Sequence, residues 1–226
     1  MPLKAKPKTA KRKRSSSVSS PLSLSELLGG VLGSGENATV YAHKTNPKLV
    51  IKVVKDASSI RHEMQMHRMM ACIGVAPAIE AEEDNFIVME RIVPYKKGDK
   101  LTKKHQTQLV NLVLRSVAVG LIHNDLHQGN IGFTANKEEM LMFDFGFSER
   151  IQPVKDDVVY LQIVLAQLYA LIDPCNENNM ALNFCDDEIG KAVYAIRGHD
   201  TKVIKQFLKQ RTEALKMLNC VTDVAI

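Results

Sequence analysis

The apolar residues of this chain change period once, and that change limits the folds open to it. From Leu22 to about Glu90 they alternate around turn signals, beginning with SLSELLGGVLGSGENATVYAHKTNPKLVIKVVK. Alternation at period two builds half-buried strands. Val40 and Ala42 share one strand face, and TNPK (Thr45 to Lys48) marks a hairpin turn before LVIKVV. Strands are predicted near 30–34, 38–44 and 48–54. A helix follows over SSIRHEMQMHRMMACIG, capped by Ser58 or Ser59, with Ile60, Met64, His67 and Met70 near one face. AIEAEEDNFIVME gives two more strands around an acidic turn, making five strands and one helix by Glu90. After RIVPYKKGDK the spacing becomes helical. Residues 102–119 form one amphipathic helix, IGF and MLMFDF a small hairpin, and two or three helices follow from about Asp156. The fold class is therefore α+β, with a mainly β part over 23–92 and a mainly α part over 93–226.

With 226 residues and 45% hydrophobic composition, the chain supports one core or two small lobes sharing an interface. Its charge is uneven. Lys4, Lys6, Lys8, Lys11, Arg12, Lys13 and Arg14 stand in the first 20 residues without an acid; removing these seven from the net +5 leaves −2 for the other 206. A binder of nucleic acid across its whole surface would spread positive charge over the fold. Residues 1–22 cannot bury enough apolar surface to offset chain entropy and are expected to be disordered. Their KRKR cluster is a candidate nuclear-localisation patch, with a solubilising tail as the alternative. Cys72, Cys175, Cys185 and Cys220 lack the spacing of a zinc or redox motif and read as reduced intracellular thiols. The most apolar run, Val158 to Ile172, holds two glutamines, is too short for a bilayer and reads as a buried helix. With no secretory pattern, the expected location is cytoplasm or nucleus.

Five local features carry chemistry. In GSGENATV, Gly33 and Gly35 allow close backbone approach to a ligand, and exposed amides attract phosphate; a plain hairpin turn is the competing reading. Lys52 lies inside an apolar strand, where an ammonium is costly unless it reaches an anion or the surface. Glu63, on the next helix, is a possible partner for it. HNDLHQGN places Asp125 and Asn130 five residues apart in a tight loop. A carboxylate there can take or orient a hydroxyl proton, and an amide oxygen can ligate a hard cation. FDFG sets Asp144 at a strand end, suited to Mg²⁺ or to capping a turn.

The order of these features resembles the signature set of the protein-kinase-like superfamily, over about residues 30–165. The resemblance implies a two-lobed kinase-like fold, with a five-stranded first lobe over 23–92 and a reduced helical second lobe over 93–226. It implies ATP and Mg²⁺ as cofactors. Gly33, Ser34, Gly35 and the backbone to Ala38 would cover the phosphates, and Val40 would pack on adenine. Met89 would be the gatekeeper, and Glu90 to Ile92 the hinge. Lys52 would bind phosphate and pair with Glu63, and Asp125 would be the catalytic carboxylate. His127 would stand where serine/threonine kinases carry lysine. Asn130 and Asp144 would hold the metal. Asp157 would brace the catalytic loop from below.

Departures from the pattern narrow the family. Asn124 replaces the arginine that usually docks a phosphorylated loop. Ten residues separate Gly146 from Asp157, and no Ala-Pro-Glu motif follows. The chain is similar in these respects to the compact atypical kinases of the KEOPS complex and to minimal viral kinases, while its loop spelling resembles aminoglycoside and choline kinases. The leading expectation is a minimal serine/threonine protein kinase acting on a protein hydroxyl, possible as a complex subunit, with no membrane and with nucleic acid met only through the tail. The alternatives are a small-molecule kinase and a kinase-fold ATPase or binding module within a complex.

Overall fold

The computed structural model describes residues 23–35, 37–55, 57–96, 99, 101–172 and 188–222. The basic segment 1–22, expected to be disordered, lies outside the described residues, as do Cys175 and Cys185. Cys72 is an exposed free thiol. Among the described residues, no helix is long and apolar enough to cross a membrane.

A short helix α1 (Leu24–Leu27) leads into β1 (Leu28–Ser34), β2 (Ala38–His43) and β3 (Leu49–Val54). Helix α2 (Ala57–Cys72) precedes β4 (Ile79–Glu83) and β5 (Phe86–Glu90). The five strands form an antiparallel sheet ordered β1-β2-β3-β5-β4. Helix α2 begins at Ala57, so Ser58 and Ser59 lie inside its first turn rather than capping it. Period two gives the central strand two apolar faces. Val50 and Val54 pack with Ile87 and Met89 against Ile60 and Met64 of α2. Ile51 faces the other way, into a cluster with Leu27, Phe86 and Val88. Each such buried side chain contributes roughly 1.5–3 kcal/mol. The sheet is thereby clamped on both faces, and Lys52 inherits a fixed position on the α2 side.

The second half opens with β6 (Val93–Pro94) and α3 (Lys103–Ala118). Thr102 caps α3: its Oγ1 accepts the His105 N–H at 3.2 Å, satisfying one free amide of the first turn. Then come β7 (Leu121–Ile122), a 3-10 turn over Gln128–Asn130, β8 (Ile131–Phe133), β9 (Met140–Met142) and β10 (Glu149–Arg150). Helices α4 (Asp157–Ile172), α5 (Glu188–Arg197) and α6 (Thr201–Thr222) complete it. The expected hairpin is β8–β9, with β6 added on its edge, while β7 pairs with β10. Leu109, Leu114 and Val117 of α3 form one core with Val164 and Leu168 of α4, Ile189 and Val193 of α5, and Phe207 of α6. Met66 and Met70 of α2, with Ile73 just after it, enter the same core. Helix α2 therefore touches both halves, which matters for the site.

Gly120 shows why one glycine is required. Its φ is +80°, and a Cβ there would stand 2.3 Å from the Ile151 carbonyl oxygen. That close approach lets Ile151 N–H donate to Gly120 O at 2.8 Å and aligns β10 with β7.

Candidate functional site

Lys52 sits in a cross-strand row between Val40 and Ile87. Its ammonium forms ion pairs with Glu63 Oε1 of α2 and, at 3.1 Å, with Asp144 Oδ1, 92 residues along the chain. Burial alone would push its pKa down, but Glu63 and then Asp144 outweigh that and hold it above its ordinary value. The lysine is thus a fixed positive charge. Asp144 is the open member of the trio, with half of its side chain exposed, whereas Glu63 is buried. An anion entering from solvent would meet Lys52 from the Asp144 side.

The loop after β7 builds the second cluster. Asn124 adopts φ 59°, a left-handed conformation that asparagine tolerates better than most residues. Asn130 Nδ2 donates to the Asp125 carbonyl at 2.9 Å and to Asp125 Oδ2 at 3.0 Å. His127 Nδ1 accepts the Gly129 N–H at 2.9 Å, and its Nε2 lies 3.2 Å from Asn130 Nδ2 and 3.6 Å from Asp125 Oδ2. A Cβ at Gly129 would stand 2.6 Å from His127 Cε1, so the glycine permits this closed turn. One Asp125 oxygen is thereby positioned while the side chain remains 42% exposed, free to meet a hydroxyl.

The two clusters are joined through the backbone and through Phe145. Phe143 N–H donates to Asn130 O at 3.0 Å. Asp144 takes φ 65°, which turns its carboxylate toward Lys52 while Phe145 is fully buried. His67 and His123 pack against the Phe145 ring, at centroid distances of 5.6 and 5.1 Å. His123 Nε2–H donates to Phe143 O at 3.1 Å. Its pKa is lowered by burial, opposed by that carbonyl and by the charges of Asp125 and Asp144. Asn124 Nδ2 donates to Phe147 O at 3.2 Å, so the residue in the usual arginine position binds the segment after Gly146 directly.

The remaining predicted residues fall around this centre. Gly33 and Ser34 end β1 and are exposed; Gly35 follows, and its N–H donates to Ala38 O at 2.9 Å. Lys55 Nζ donates to Gly35 O at 2.9 Å, pinning the turn. Among the described residues no hydrogen bond links this turn to Lys52. Val40 packs beside buried Met89 in the α2-facing cluster. Glu90 N–H and Arg91 N–H are already donated to Ala78 O and Lys48 O, at 2.8 and 2.7 Å. Ile92 is therefore the first amide of that stretch without a backbone partner among the described residues.

Asp157 is placed differently from its expected role. Its carboxylate, largely exposed, accepts from Arg211 Nη1 at 2.5 Å. Arg211 also binds the Val154 and Lys155 carbonyls and lies 5.0 Å over the Tyr160 ring, tying α6 to the start of α4. The loop from His123 to Asn130 is held instead by Gln167, whose Oε1 accepts the His123 N–H at 3.1 Å. Sequence reading missed this residue; the available signal was a glutamine inside the apolar α4. Gln167→Leu leaves that amide without an acceptor and is expected to lower unfolding free energy by about 1–3 kcal/mol. Urea titration measures the loss, and Gln167→Glu, which keeps an acceptor, should lose less.

The donor chemistry suits a hard cation bound partly by its ligand. Asn130 commits its amide nitrogen to Asp125, leaving its carbonyl oxygen, and Asp144 commits Oδ1 to Lys52, leaving Oδ2. Two such oxygens match Mg²⁺, which keeps waters and takes further oxygens from phosphates. Among the described residues no group of three or more His, Cys, Asp or Glu side chains could hold a metal alone.

Residues 80–171 match the ABC1 atypical kinase-like domain. The match runs from β4 to the end of α4 and so contains Asp125, Asn130, Asp144 and Gln167, but not Lys52 or Glu63. It supports the kinase-like superfamily and, in general terms, a kinase-like phosphotransferase. No curated protein matches the chain.

Proposed function

We propose that this chain is a minimal, atypical serine/threonine protein kinase that transfers the γ-phosphate of ATP to a protein hydroxyl. The observation carrying this reading is the ammonium of Lys52 held between Glu63 and Asp144, beside a loop that positions Asp125. In this reading residues 23–92 form the first lobe and 93–226 the second, with nucleotide between them. Val40 and Met89 contact the base, Ile92 N–H hydrogen-bonds it, and the turn from Gly33 to Ala38 covers the phosphates.

The reaction is an in-line displacement. The acceptor oxygen forms the new bond to γ-phosphorus as the bond to the ADP oxygen breaks, and Asp125 accepts the hydroxyl proton. Lys52 stabilises negative charge on the phosphates at a fixed position, so little reorganisation is needed. Asn130 Nδ2 keeps Asp125 oriented, with His127 beside it. Asn130 and Asp144 would hold Mg²⁺, which when bound neutralises phosphate charge. A protein acceptor is favoured because the described residues after Asp156 form three helices, α4, α5 and α6, packed into one core with α3.

Incubating the full chain with γ-labelled ATP and Mg²⁺ tests this. Casein, choline and an aminoglycoside would be offered in separate reactions. Label on serine or threonine of casein, or of the chain itself, is expected. Label on the small amines alone would make the protein a small-molecule kinase. Free phosphate alone, raised by a copurifying protein, would make it an ATPase module.

A further inference from the structure

Helix α2 grips the site twice. Glu63 holds Lys52, and its neighbour His62 donates from Nε2–H to the Ser148 carbonyl at 2.7 Å, 86 residues away. Ser148 lies four residues after Asp144, whose carboxylate reaches back to Lys52. The contacts therefore close a ring: Lys52 to Glu63, along α2 to His62, across to Ser148, back along the chain to Asp144, and again to Lys52. The Ser148 end is firm. Its side chain is buried, its Oγ donates to His123 O at 3.3 Å, and the next residues pair with β7. His62 itself is exposed, so it contributes little to the core.

We propose that His62 is a positioning residue. It docks α2 on the segment after Asp144, so that Glu63 and Asp144 reach Lys52 together, with the phosphate-binding charge assembled before ligand arrives. This rests on the kinase reading for its catalytic consequence but not for its structural one. Without His62, α2 keeps its core contacts through Ile60, Met64, Met66 and Met70, yet the ring is open at one point. Part of the population then carries Glu63 away from Lys52, and turnover falls by the fraction lost.

The test compares the full chain with His62→Leu, which removes the donor, and His62→Gln, whose Nε2 donor has similar reach. Amide hydrogen exchange over residues 145–150 needs no turnover. In His62→Leu it should quicken roughly three- to tenfold, the effect of one net hydrogen bond, with kcat lowered and KM for the protein acceptor unchanged. His62→Gln should restore both to within about twofold. Exchange unchanged in His62→Leu, or a glutamine variant as impaired as the leucine one, would overturn the proposal. If no variant and no wild-type protein transfers phosphate, yet exchange responds as described, the coupling stands and the kinase reading falls.

Discussion

Asp144→Asn is expected to reduce phosphoryl transfer about 10²–10³-fold while leaving the fold intact, the loss typical of removing one preorganised charge-stabilising group. Asparagine is among the few side chains that tolerate the left-handed φ of 65° at this position, so the turn from Met142 to Gly146 should persist. Its shape is kept, and only the charge and one anionic oxygen are lost. Both matter, because Asp144 Oδ1 sits 3.1 Å from the Lys52 ammonium and the other oxygen is the stronger of the two donors proposed for Mg²⁺. Asp125→Asn should cost a comparable factor for a different reason. It removes the proton acceptor while keeping an oxygen to receive the Asn130 amide bond, now 3.0 Å long. Single-turnover transfer from labelled ATP, with thermal melts of each variant, separates chemistry from folding. Either variant retaining more than a tenth of the wild-type rate would remove that residue from its assigned role.

Local chemistry explains how much of this was legible in the sequence. The five strands are legible because β3 and β5 are short apolar runs rich in Val and Ile, and turns such as TNPK punctuate them. Lys52 stood out as a charge in an apolar strand, and the loop from His123 to Asn130 by its density of polar side chains. Pairs β6–β8 and β7–β10 escaped notice because strands of two residues have no period to read. The sequence pattern points to Asp157, an acid at the start of its helix, as the brace on the loop from His123 to Asn130. The residue that reaches the loop is Gln167, ten positions on, nearly three turns deeper. Which polar group of a buried helix meets a distant amide depends on how far that helix slides past its neighbours, and sequence spacing does not record this. His62 was invisible for the same reason: an exposed helical histidine carries no mark of a partner 86 residues away.

Between pH 6.5 and 4 the protein should lose up to about 3 kcal/mol of stability from His67 alone. The ring is 1% exposed, donates Nε2–H to Pro77 O at 2.8 Å, and meets Phe145 edge-on. Burial pushes its pKa down to about 4, with the Lys52 charge adding to the shift and the Pro77 carbonyl opposing it. In the unfolded chain the same ring titrates near 6.5. Within that window the unfolded state binds more protons, so stability is full above pH 6.5, falls as pH drops, and levels off below about 4. His123, across Phe145, is shifted in the same direction and carries a buried Nδ1 without a partner, so it adds a loss of the same sign. Phe145 follows Asp144 directly, and charging the rings on either side of it should disturb the site before the whole chain unfolds. Urea melts at pH 7, 5.5 and 4.5 give the slope, and His67→Leu should flatten it, since leucine fills similar space without a proton to take up. A slope equal in wild type and variant would show that His67 binds protons equally in the folded and unfolded states, so that burial does not shift it.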